Sequence, residues 1–403
     1  MVTQNIESGP LEAKLGDRRI SVLMIAMPNS VHTARWINQF RDTPLDITII
    51  PSAISSVLHP SIRDLLVSDG PLRIRVPEEF QRFEQVVGMI DHVCFGIFRG
   101  MQLNSWLKSR QVEFDVVHAL ELQHAGYILS RINRDIHFSR VIISNWGSDV
   151  FWYQRFRRHR NRLLKLMSLA THYSCECERD IELAKELGFR GVAFPVHPNA
   201  GPVHSGHLLA ADTAAVPSDR KIILVKGYTK FVGRADIALR AIEFAVEHCK
   251  NFEIVLYSSD RRSRKIARRI TKRTGLVIRT LKPYEMAHED MLNLFLSARV
   301  YLGVSMSDGI STSLLEAISS GTFPIQTNTS CVSEWVSDGV NGFIVDYKDP
   351  RVISHRIVEA LSNDELVNGA ARVNHQIAKD RLSSKSMLND HLAFYQFHKT
   401  LDS

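Results

Sequence analysis

The sequence predicts a protein of two α/β domains, each built on a doubly wound parallel sheet. Short apolar segments alternate with helical patterns along most of the 403 residues, as expected for strands joined by crossover helices. The alternation stops once, in an irregular stretch at 195–219 that holds several Pro, Gly and His residues, and then starts again. The length agrees with this division, because one domain usually has about 100–200 residues.

The first half of the chain contains seven segments with the composition of strands. Each is a short run rich in apolar residues that ends at polar or turn-forming residues. The segments span 20–27, 46–50, 72–76, 114–119, 140–145, 171–175 and 191–194. Helical patterns follow the first and the fourth of them, at 32–41 and 124–134. We therefore predict that residues 1–200 form the first domain.

The second half repeats the pattern. Its predicted strands span 221–225, 252–257, 276–281, 300–304, 323–327 and 342–345. Its predicted helices span 234–249, 261–273, 289–298 and 311–320, and the tail from residue 350 is mostly helical in pattern. We place an interdomain linker at 201–219 and the second domain at 220–385. A final helix at 386–403 is expected to pack back on the first domain.

Composition excludes several classes of protein. No apolar segment reaches the ~18 residues that a membrane helix needs, and residues 1–19 form a polar stretch without the apolar core of a signal peptide. We therefore expect a cytoplasmic protein. The five cysteines are scattered and odd in number, which predicts free thiols rather than a disulfide framework or a metal site.

Positive charge is concentrated in two stretches, at 155–165 and 261–273, and the formal net charge is +7. One interpretation is a pair of solvated helix faces. The other is peripheral contact with the inner face of an anionic membrane, or with an anionic acceptor. Phe156 is the one aromatic residue in these stretches, so we expect no nucleic-acid partner, since single strands are bound by interleaved aromatic and basic residues.

The clearest candidate site lies between a predicted strand that ends near Ser305 and a helix that begins near Ser311. Free N–H groups at the start of a helix bind phosphate, and Gly309 lets the backbone approach closely. Asp308 and Glu316 could then grip hydroxyl groups on either side of a diphosphate, unless the segment is simply a capped helix. The residues predicted to bind a donor are Gly309, Ile310, Ser311, Thr312 and Glu316.

This stretch resembles the donor-site signature of the retaining glycosyltransferases of family 4. In that family an acidic residue, seven further residues and a glutamate span a loop and the start of a helix. The continuation at 316–325 is similar to the family's next helix, glycine turn and strand, and 338–345 is similar to its closing motif. The resemblance is specific over residues 220–362 and looser in the first half. It implies the GT-B fold, in which two Rossmann-like domains face each other across a cleft.

One position departs from the family, which usually has Glu where this chain has Asp308. The aspartate side chain is one methylene shorter, so we expect the donor sugar to be selected there. The resemblance implies that Asp308 holds the sugar at the reaction centre and that Glu316 holds the ribose of the nucleotide.

The departing nucleoside diphosphate needs cations to stabilise its charge. No two aspartates have the i, i+2 spacing of a metal-binding Asp-x-Asp motif, so we expect neither a metal nor another cofactor. The family resembled uses a basic pair after the first strand of the second domain. This implies roles for Lys226 and Arg234, with Lys230 as a substitute, although the register of the pair differs from the family's.

The first domain contributes candidates after its first strand. The segment 29–36 resembles a Ser-x-His-Thr-x-Arg-Trp opening found in many bacterial members of the family. This places Ser30, His32 and Arg35 on the acceptor side. The alternative for Ser30 is that it caps the following helix.

Further candidates follow two later strands of the first domain. In the family resembled, a histidine after the fourth strand lies near the reacting sugar, which implies a catalytic role for His118 and an acceptor-side role for His124. Asp149 lies in a segment similar to the family's Gly-x-Asp loop and is expected to orient an acceptor hydroxyl. The alternatives are that His118 is a hydrogen-bonded core residue and that Asp149 caps a helix.

Together these features predict an enzyme that transfers a sugar from a nucleotide-sugar to an acceptor hydroxyl with retention of anomeric configuration. The expected acceptor is a sugar, a glycan or a lipid-linked glycan in surface polysaccharide or glycolipid assembly. Two alternatives stay open at this point. The same fold could carry a sugar-nucleotide epimerase or a phosphorylase, or the chain could be a basic binding protein without enzymatic activity.

Overall fold

Two parallel sheets form the framework of the protein. A computed structural model describes residues 19–396 except for 53–56, 82–88, 90, 92–93, 134, 200, 202–204, 231, 284 and 330. The predicted polar stretch at 1–19 therefore lies, up to residue 18, outside the described residues. No helix within the described ranges combines the length and the apolar character that crossing a membrane requires.

The first sheet has seven strands in the order β3-β2-β1-β4-β5-β6-β7. They are β1 Ile20–Ala26, β2 Leu45–Pro51, β3 Arg73–Arg75, β4 Val116–Leu120, β5 Arg140–Ser144, β6 His172–Ser174 and β7 Val192–Ala193. The strand order changes direction between β1 and β4, where Val22 pairs with Val116. Such a switch point opens a crevice at the carboxyl ends of the strands.

Helices cover both faces of the first sheet. They are α1 Val31–Asn38, α2 Pro60–Leu66, α3 Ile97–Arg110, α4 Tyr127–Leu129, α5 Ser148–Phe151, α6 Arg157–Leu169 and α7 Glu178–Glu186. The helix predicted at 124–134 is replaced by a π-helical turn, Leu122–Gly126, and the single turn of α4. Glu121 causes the change, because its φ is 109° and its carboxylate accepts the N–H groups of Gln123, His124 and Ala125.

The second sheet has six strands in the order β10-β9-β8-β11-β12-β13. They are β8 Ile222–Lys226, β9 Glu253–Tyr257, β10 Ile278–Thr280, β11 Ala298–Gly303, β12 Phe323–Thr327 and β13 Phe343–Val345. Its switch point lies between β8 and β11. The two sheets confirm the predicted fold class of two doubly wound α/β domains.

Nine helices accompany the second sheet in the described part of the chain. The first eight are α8 Ser205–Thr213, α9 Ala235–Phe244, α10 Val246–Cys249, α11 Arg261–Thr274, α12 His288–Ser297, α13 Thr312–Ser319, α14 Pro350–Ser362 and α15 Asp364–Arg381. The ninth, α16 Ser384–Leu392, leads the chain back to the first domain. The basic helix α11 is amphipathic, since Ser263, Ala267 and Ile270 are buried while most of its Arg and Lys residues are exposed.

The segment predicted to be an interdomain linker, 201–219, is not irregular throughout. It contains α8, whose Leu208 is buried in the core of the second domain beside Leu314 and Phe295. His207 Nε2 lies 2.9 Å from the hydroxyl of Ser320. The sequence pattern does not predict this helix, because its Ala- and Leu-rich composition has no clear amphipathic period. The chain therefore crosses between the sheets ahead of α8.

The end of the described chain packs on the first domain. The Phe394 ring stacks on Phe194 with centroids 3.7 Å apart. The Tyr395 hydroxyl accepts the indole N–H of Trp36 at 2.8 Å. Arg140 donates to the main-chain carbonyls of residues 393 and 394. The chain thus crosses between the domains a second time, after α15, while residues 397–403 of the predicted final helix lie outside the described residues.

Two cysteines are paired, which corrects the expectation of free thiols. Cys177, at the start of α7, is bonded to Cys331, which follows β12, with Cα atoms 6.1 Å apart. A partnership across 154 residues leaves no signal in cysteine spacing. Glu334 lies beside the pair, and its carboxylate is within 4.8 Å of both sulfur atoms. Because the sulfurs are bonded to each other, they are not free to hold a metal.

Candidate active site in the interdomain cavity

A cavity of about 470 Å³ lies between the carboxyl ends of the two sheets. The first domain contributes Val31, His32, Arg35, Trp146, Glu176 and Asn199 to its wall. The second domain contributes Lys226 at the end of β8 and the polar residues Tyr228, Ser258, Asp308, Thr312 and Ser313. The same wall also includes His288, Glu316, Tyr257, Leu281, Lys282, Met286, Met291 and Ile310. This is the position at which ligands of doubly wound sheets bind.

The loop between β11 and α13 forms part of the second wall. Ser311 is the N-cap residue of α13, and its side chain accepts no capping bond from the helix. Its hydroxyl instead accepts a hydrogen bond from Lys226 Nζ at 3.1 Å. The N–H groups of the first turn therefore keep the capacity to bind an anion.

Lys226 is a cation of the cavity wall that contacts this loop. Its Nζ lies 3.5 Å from Asp308 Oδ2, and the side chain is 14% exposed. Burial alone would lower the pKa of Lys226, but Tyr228 and Asp308 outweigh it and raise the pKa above its ordinary value. A permanent positive charge thus lies between the start of α13 and the carboxylate of Asp308.

Glu316 lies further along α13 and contacts the first domain. Its Oε1 accepts a hydrogen bond from Arg35 Nη2 at 3.0 Å. The same guanidinium contacts the His288 ring, whose Nδ1 is 3.9 Å from Glu316 Oε1. Both charged side chains are mostly buried. An ion pair therefore bridges the two walls.

Two glycines bring the backbones of the two domains into close contact. Gly147 has φ of 80°, and a Cβ placed on it would lie 1.9 Å from the Gly309 nitrogen. Nearby, the hydroxyls of Ser148 and Ser307 are 3.0 Å apart. Arg179 donates to the carbonyl of Asp308 at 3.1 Å. The first domain thus fixes the loop that precedes α13, and only glycine permits so close a backbone approach.

Two family models match the chain and together cover both domains. The model of the glycosyl transferases group 1 matches residues 214–375, and the model described as glycosyl transferase 4-like matches residues 21–176. The chain belongs to the GT-B glycosyltransferases. The first match contains the β8 strand end, the loop before α13 and Glu316. The second match contains α1 and most of the first sheet.

Solved structures agree with the GT-B fold of this glycosyltransferase. HepE of Anabaena in complex with UDP-glucose superposes with a TM-score of 0.64 at 12% identity, covering 93% of this chain and 99% of that one. Sucrose-phosphate synthase of Thermosynechococcus elongatus gives 0.69 at 12% identity, covering 94% and 98%. TarM of S. aureus, in a complex that contains UDP, gives 0.68 at 10% identity, covering 94% and 100%. No curated protein sequence matches the chain.

The cavity of the glycosyltransferase contains a buried carboxyl that sequence analysis missed. Glu176 follows β6 and is 6% exposed. Its Oε1 accepts the N–H of Asn199 at 3.0 Å. Burial raises the pKa of Glu176 well above its ordinary value, and the neighbouring charge of Asp308 raises it further. Its position just beyond a strand is a usable signal, but β6 is among the weakest strands in the sequence pattern.

His32 and Arg35 are the two predicted first-domain residues that line the cavity. Burial lowers the pKa of His32 to about 4, and the positive charges of Arg35 and Lys226 act in the same direction. The imidazole is therefore neutral at physiological pH. It lies against the Trp146 ring with centroids 5.3 Å apart.

His118, predicted to be catalytic, does not line the cavity. It is fully buried in β4, where Nδ1 lies 2.8 Å from the Tyr395 hydroxyl and Nε2 lies 2.7 Å from the Ser144 hydroxyl. Burial lowers the pKa of His118 to about 3. Both ring nitrogens are engaged within the first domain, so the prediction is replaced by a structural role that ties β4, β5 and the chain end together.

The other acceptor-side candidates also support the backbone rather than the cavity wall. Asp149 is buried, and its Oδ2 accepts the N–H groups of Leu122 and Trp146 at 3.1 and 3.2 Å. The Ser30 hydroxyl accepts the N–H of residue 32 and caps α1. His124 belongs to the π-helical turn and is not part of the cavity wall. Strand-end position alone does not separate such capping residues from ligand-facing ones.

Two of the three predicted cations are likewise outside the cavity wall. Arg234 donates to Met306 Sδ at 2.7 Å and to the carbonyl of Gly233 at 2.9 Å, so it braces the loop after β11 from behind. Lys230 is exposed. Of the predicted donor residues, Ile310, Thr312 and Glu316 line the cavity, whereas Gly309 and Ser311 are buried just behind its surface.

Proposed function

We propose that this glycosyltransferase transfers a sugar from a UDP-sugar to an acceptor hydroxyl with retention of anomeric configuration and without a metal. One observation carries the proposal: the start of α13, Lys226 and Glu316 converge on a single cavity. Free N–H groups, a buried cation and a carboxylate are the groups that a nucleoside diphosphate requires.

The diphosphate, the ribose and the sugar of the donor each have a partner in this arrangement. The N–H groups at 310–312 and the ammonium of Lys226 bind the diphosphate and stabilise the charge that forms as it leaves. Glu316 accepts hydrogen bonds from the ribose hydroxyls, and donor binding displaces Arg35 from that carboxylate. Asp308 holds the sugar. HepE and TarM support the choice of uridine, since their structures contain UDP.

Retention rests on the resemblance to the family-4 enzymes, in which the acceptor attacks from the face that the diphosphate leaves. The anomeric configuration of the product is measured by proton NMR from the coupling constant of the anomeric hydrogen.

Independence from a metal rests on Lys226, which supplies the positive charge. Full activity in excess EDTA is expected, and activity restored by a divalent cation would contradict this part of the proposal.

The acceptor side is formed by His32, Trp146 and Arg35, which suit a sugar, because an aromatic face packs on a sugar ring and polar groups bind its hydroxyls. We propose that the acceptor is a glycan or a lipid-linked glycan of surface polysaccharide or glycolipid assembly, at the cytoplasmic face of a membrane.

The exposed basic residues of α6 and α11 support peripheral binding to anionic lipid. Cosedimentation with anionic vesicles, but not with neutral ones, is expected and should fall as salt rises.

The decisive experiment measures donor binding by calorimetry with UDP-, GDP- and ADP-glucose. Wild type is expected to bind UDP-glucose best, and Glu316→Ala should lose about 10–100-fold in affinity, as for a hydrogen bond to a charged group. Glu365→Ala, which removes an exposed carboxylate of the same domain outside the cavity wall, is the matched control. Equal binding by wild type and Glu316→Ala would refute the donor assignment. Turnover of the donor without any acceptor would favour an epimerase or a phosphorylase.

A further inference from the structure

Glu176 is the one first-domain carboxyl on the cavity wall among the described residues. It is held where the carboxyl end of β6 meets the donor loop of the second domain. Its Oε1 accepts the N–H of Asn199 at 3.0 Å. Its Oε2 lies 3.5 Å from the N–H of Ile310, one of the groups proposed to bind the donor diphosphate.

The distance to Ile310 indicates a carboxyl oxygen that faces the anion site without filling it. A charge-assisted bond between a carboxylate and an N–H is usually about 2.7–2.9 Å long, so 3.5 Å is a weak contact. A Cβ built on Gly309 would lie 2.7 Å from the same Oε2. The oxygen therefore lies against the backbone that leads into α13.

The charges around this carboxyl oppose its ionisation. Asp308 faces it from the second domain and Asp180 from α7, and both raise the pKa of Glu176 after burial itself, while the N–H groups of Asn199 and Ile310 lower it. The nearby cations are committed elsewhere: Lys226 to Asp308, and Arg179 to Asp180. An ionised Glu176 would also repel a diphosphate bound at the same helix start.

We propose that Glu176 is a donor-site residue contributed by the first domain, which acts as a neutral carboxylic acid and donates its O–H to the diphosphate bound at the start of α13. The inference rests on the proposed function, because it requires a nucleotide-sugar in this cavity. It makes the first domain a direct partner of the leaving group.

The experiment compares wild type, Glu176→Gln and Glu176→Ala for binding of UDP-glucose by calorimetry from pH 6 to pH 9. The glutamine amide keeps a hydrogen-bond donor in the same place and carries no charge at any pH. Glu176→Gln is expected to bind within about threefold of wild type at low pH, and Glu176→Ala to lose about 10–100-fold. As pH rises, wild-type affinity should fall while that of Glu176→Gln stays level.

The pH profile separates this role from a purely structural one. A thermal unfolding curve for each variant at each pH shows that the protein measured is folded. Glu176→Ala binding as tightly as wild type, Glu176→Gln as weak as Glu176→Ala, or parallel pH profiles for wild type and Glu176→Gln would each overturn the inference. The proposed function fails differently, since wild type would then not bind UDP-glucose or Glu316→Ala would bind it equally well.

Discussion

The two walls of the cavity are assembled in different ways. The second-domain wall takes most of its proposed donor-binding groups from one continuous segment, 308–316, beside Lys226. The first-domain wall collects isolated side chains from separate strand ends, among them Arg35 after β1, Glu176 after β6 and Asn199 after β7. A continuous segment has a spacing that sequence can show. On the first-domain wall, the motif at 29–36 shows His32 and Arg35 in the sequence, whereas Glu176 and Asn199 are recognised only when the strands are in place.

Replacement of Lys226 by alanine should produce the largest effect. It tests whether the second-domain wall supplies the charge that stabilises the leaving group. Loss of the buried cation beside the diphosphate is expected to lower kcat by about 10²–10³-fold, as for loss of a preorganised group that stabilises developing charge. Steady-state kinetics with UDP-glucose and the acceptor measure it. The matched control is Lys230→Ala, an exposed lysine four residues away, which should stay near wild type. Equal losses in both variants would show that general positive charge, rather than this contact, matters.

Replacement of His118 by alanine tests whether this first-domain residue has a structural role and no catalytic one. The change removes a fully buried ring that bonds Tyr395 and Ser144. It leaves a cavity and removes a hydrogen-bond partner from two buried hydroxyls, of which Tyr395 keeps the Trp36 N–H, so the free energy of unfolding should fall by about 2–4 kcal/mol. Urea denaturation measures the loss, and kcat at a temperature where the variant is folded should change little. A large loss of kcat with unchanged stability would restore the catalytic role that the sequence suggests.

The same variant reports on pH dependence. The pKa of His118 is lowered to about 3 in the folded protein, so below its ordinary value of 6.5 the unfolded chain takes up a proton that the folded chain refuses. Wild-type stability should therefore fall, relative to His118→Ala, by about 1 kcal/mol for each pH unit below 6. Buried carboxyls such as Glu121, with its pKa raised to about 7, act in the opposite direction.

The carboxyl contribution is common to both proteins and cancels in their difference. Urea unfolding of wild type and His118→Ala at pH 7, 6, 5.5 and 5 should therefore show a stability gap that narrows as pH falls. A gap that is constant over this range would mean that His118 titrates normally in the folded state and is not sealed in the core.

Replacement of Gly147 by alanine should have the smallest of these effects and acts on the contact between the walls. The new Cβ meets the Gly309 backbone, so closure becomes costlier and kcat/KM is expected to fall about tenfold. Gly275→Ala is the control: its φ of 75° resembles the 80° of Gly147, but a Cβ there has nothing within 4 Å. Both variants carry backbone strain, and only the first should lose kcat/KM. Similar losses in both would attribute the effect to strain alone.

Much of the fold could be predicted from the alternation of apolar segments with helical patterns. That alternation reports burial on two faces of a parallel sheet, which depends on composition and short-range period. Its failures have local causes. The π-helical turn at 122–126 depends on the positive φ of Glu121, and α8 is rich in Ala and Leu, so no polar face marks it.

The site divides along the same line. Asp308, Glu316 and Lys226 could be predicted as site residues because local sequence patterns mark the loop, the helix start and the strand end in which they lie. His118, Asp149 and Ser30 share the strand-end position of real wall residues. What separates them is the direction of the side chain and its partners, and these are set by packing. Glu176 is the opposite case. It lines the cavity, but the strand before it is too short to be recognised clearly in the sequence, so the sequence does not mark its strand-end position.

The return of the chain end to the first domain has a consequence for biosynthesis. Phe394 and Tyr395 are part of the first domain's core, against Phe194, Trp36 and His118. A chain growing from its N-terminus makes these two residues after every strand of both sheets. On the ribosome the second domain can therefore fold before the first domain receives this part of its core. A product truncated ahead of Phe394 would retain a second domain beside an incomplete first domain, with an aromatic surface open to chaperones and proteases.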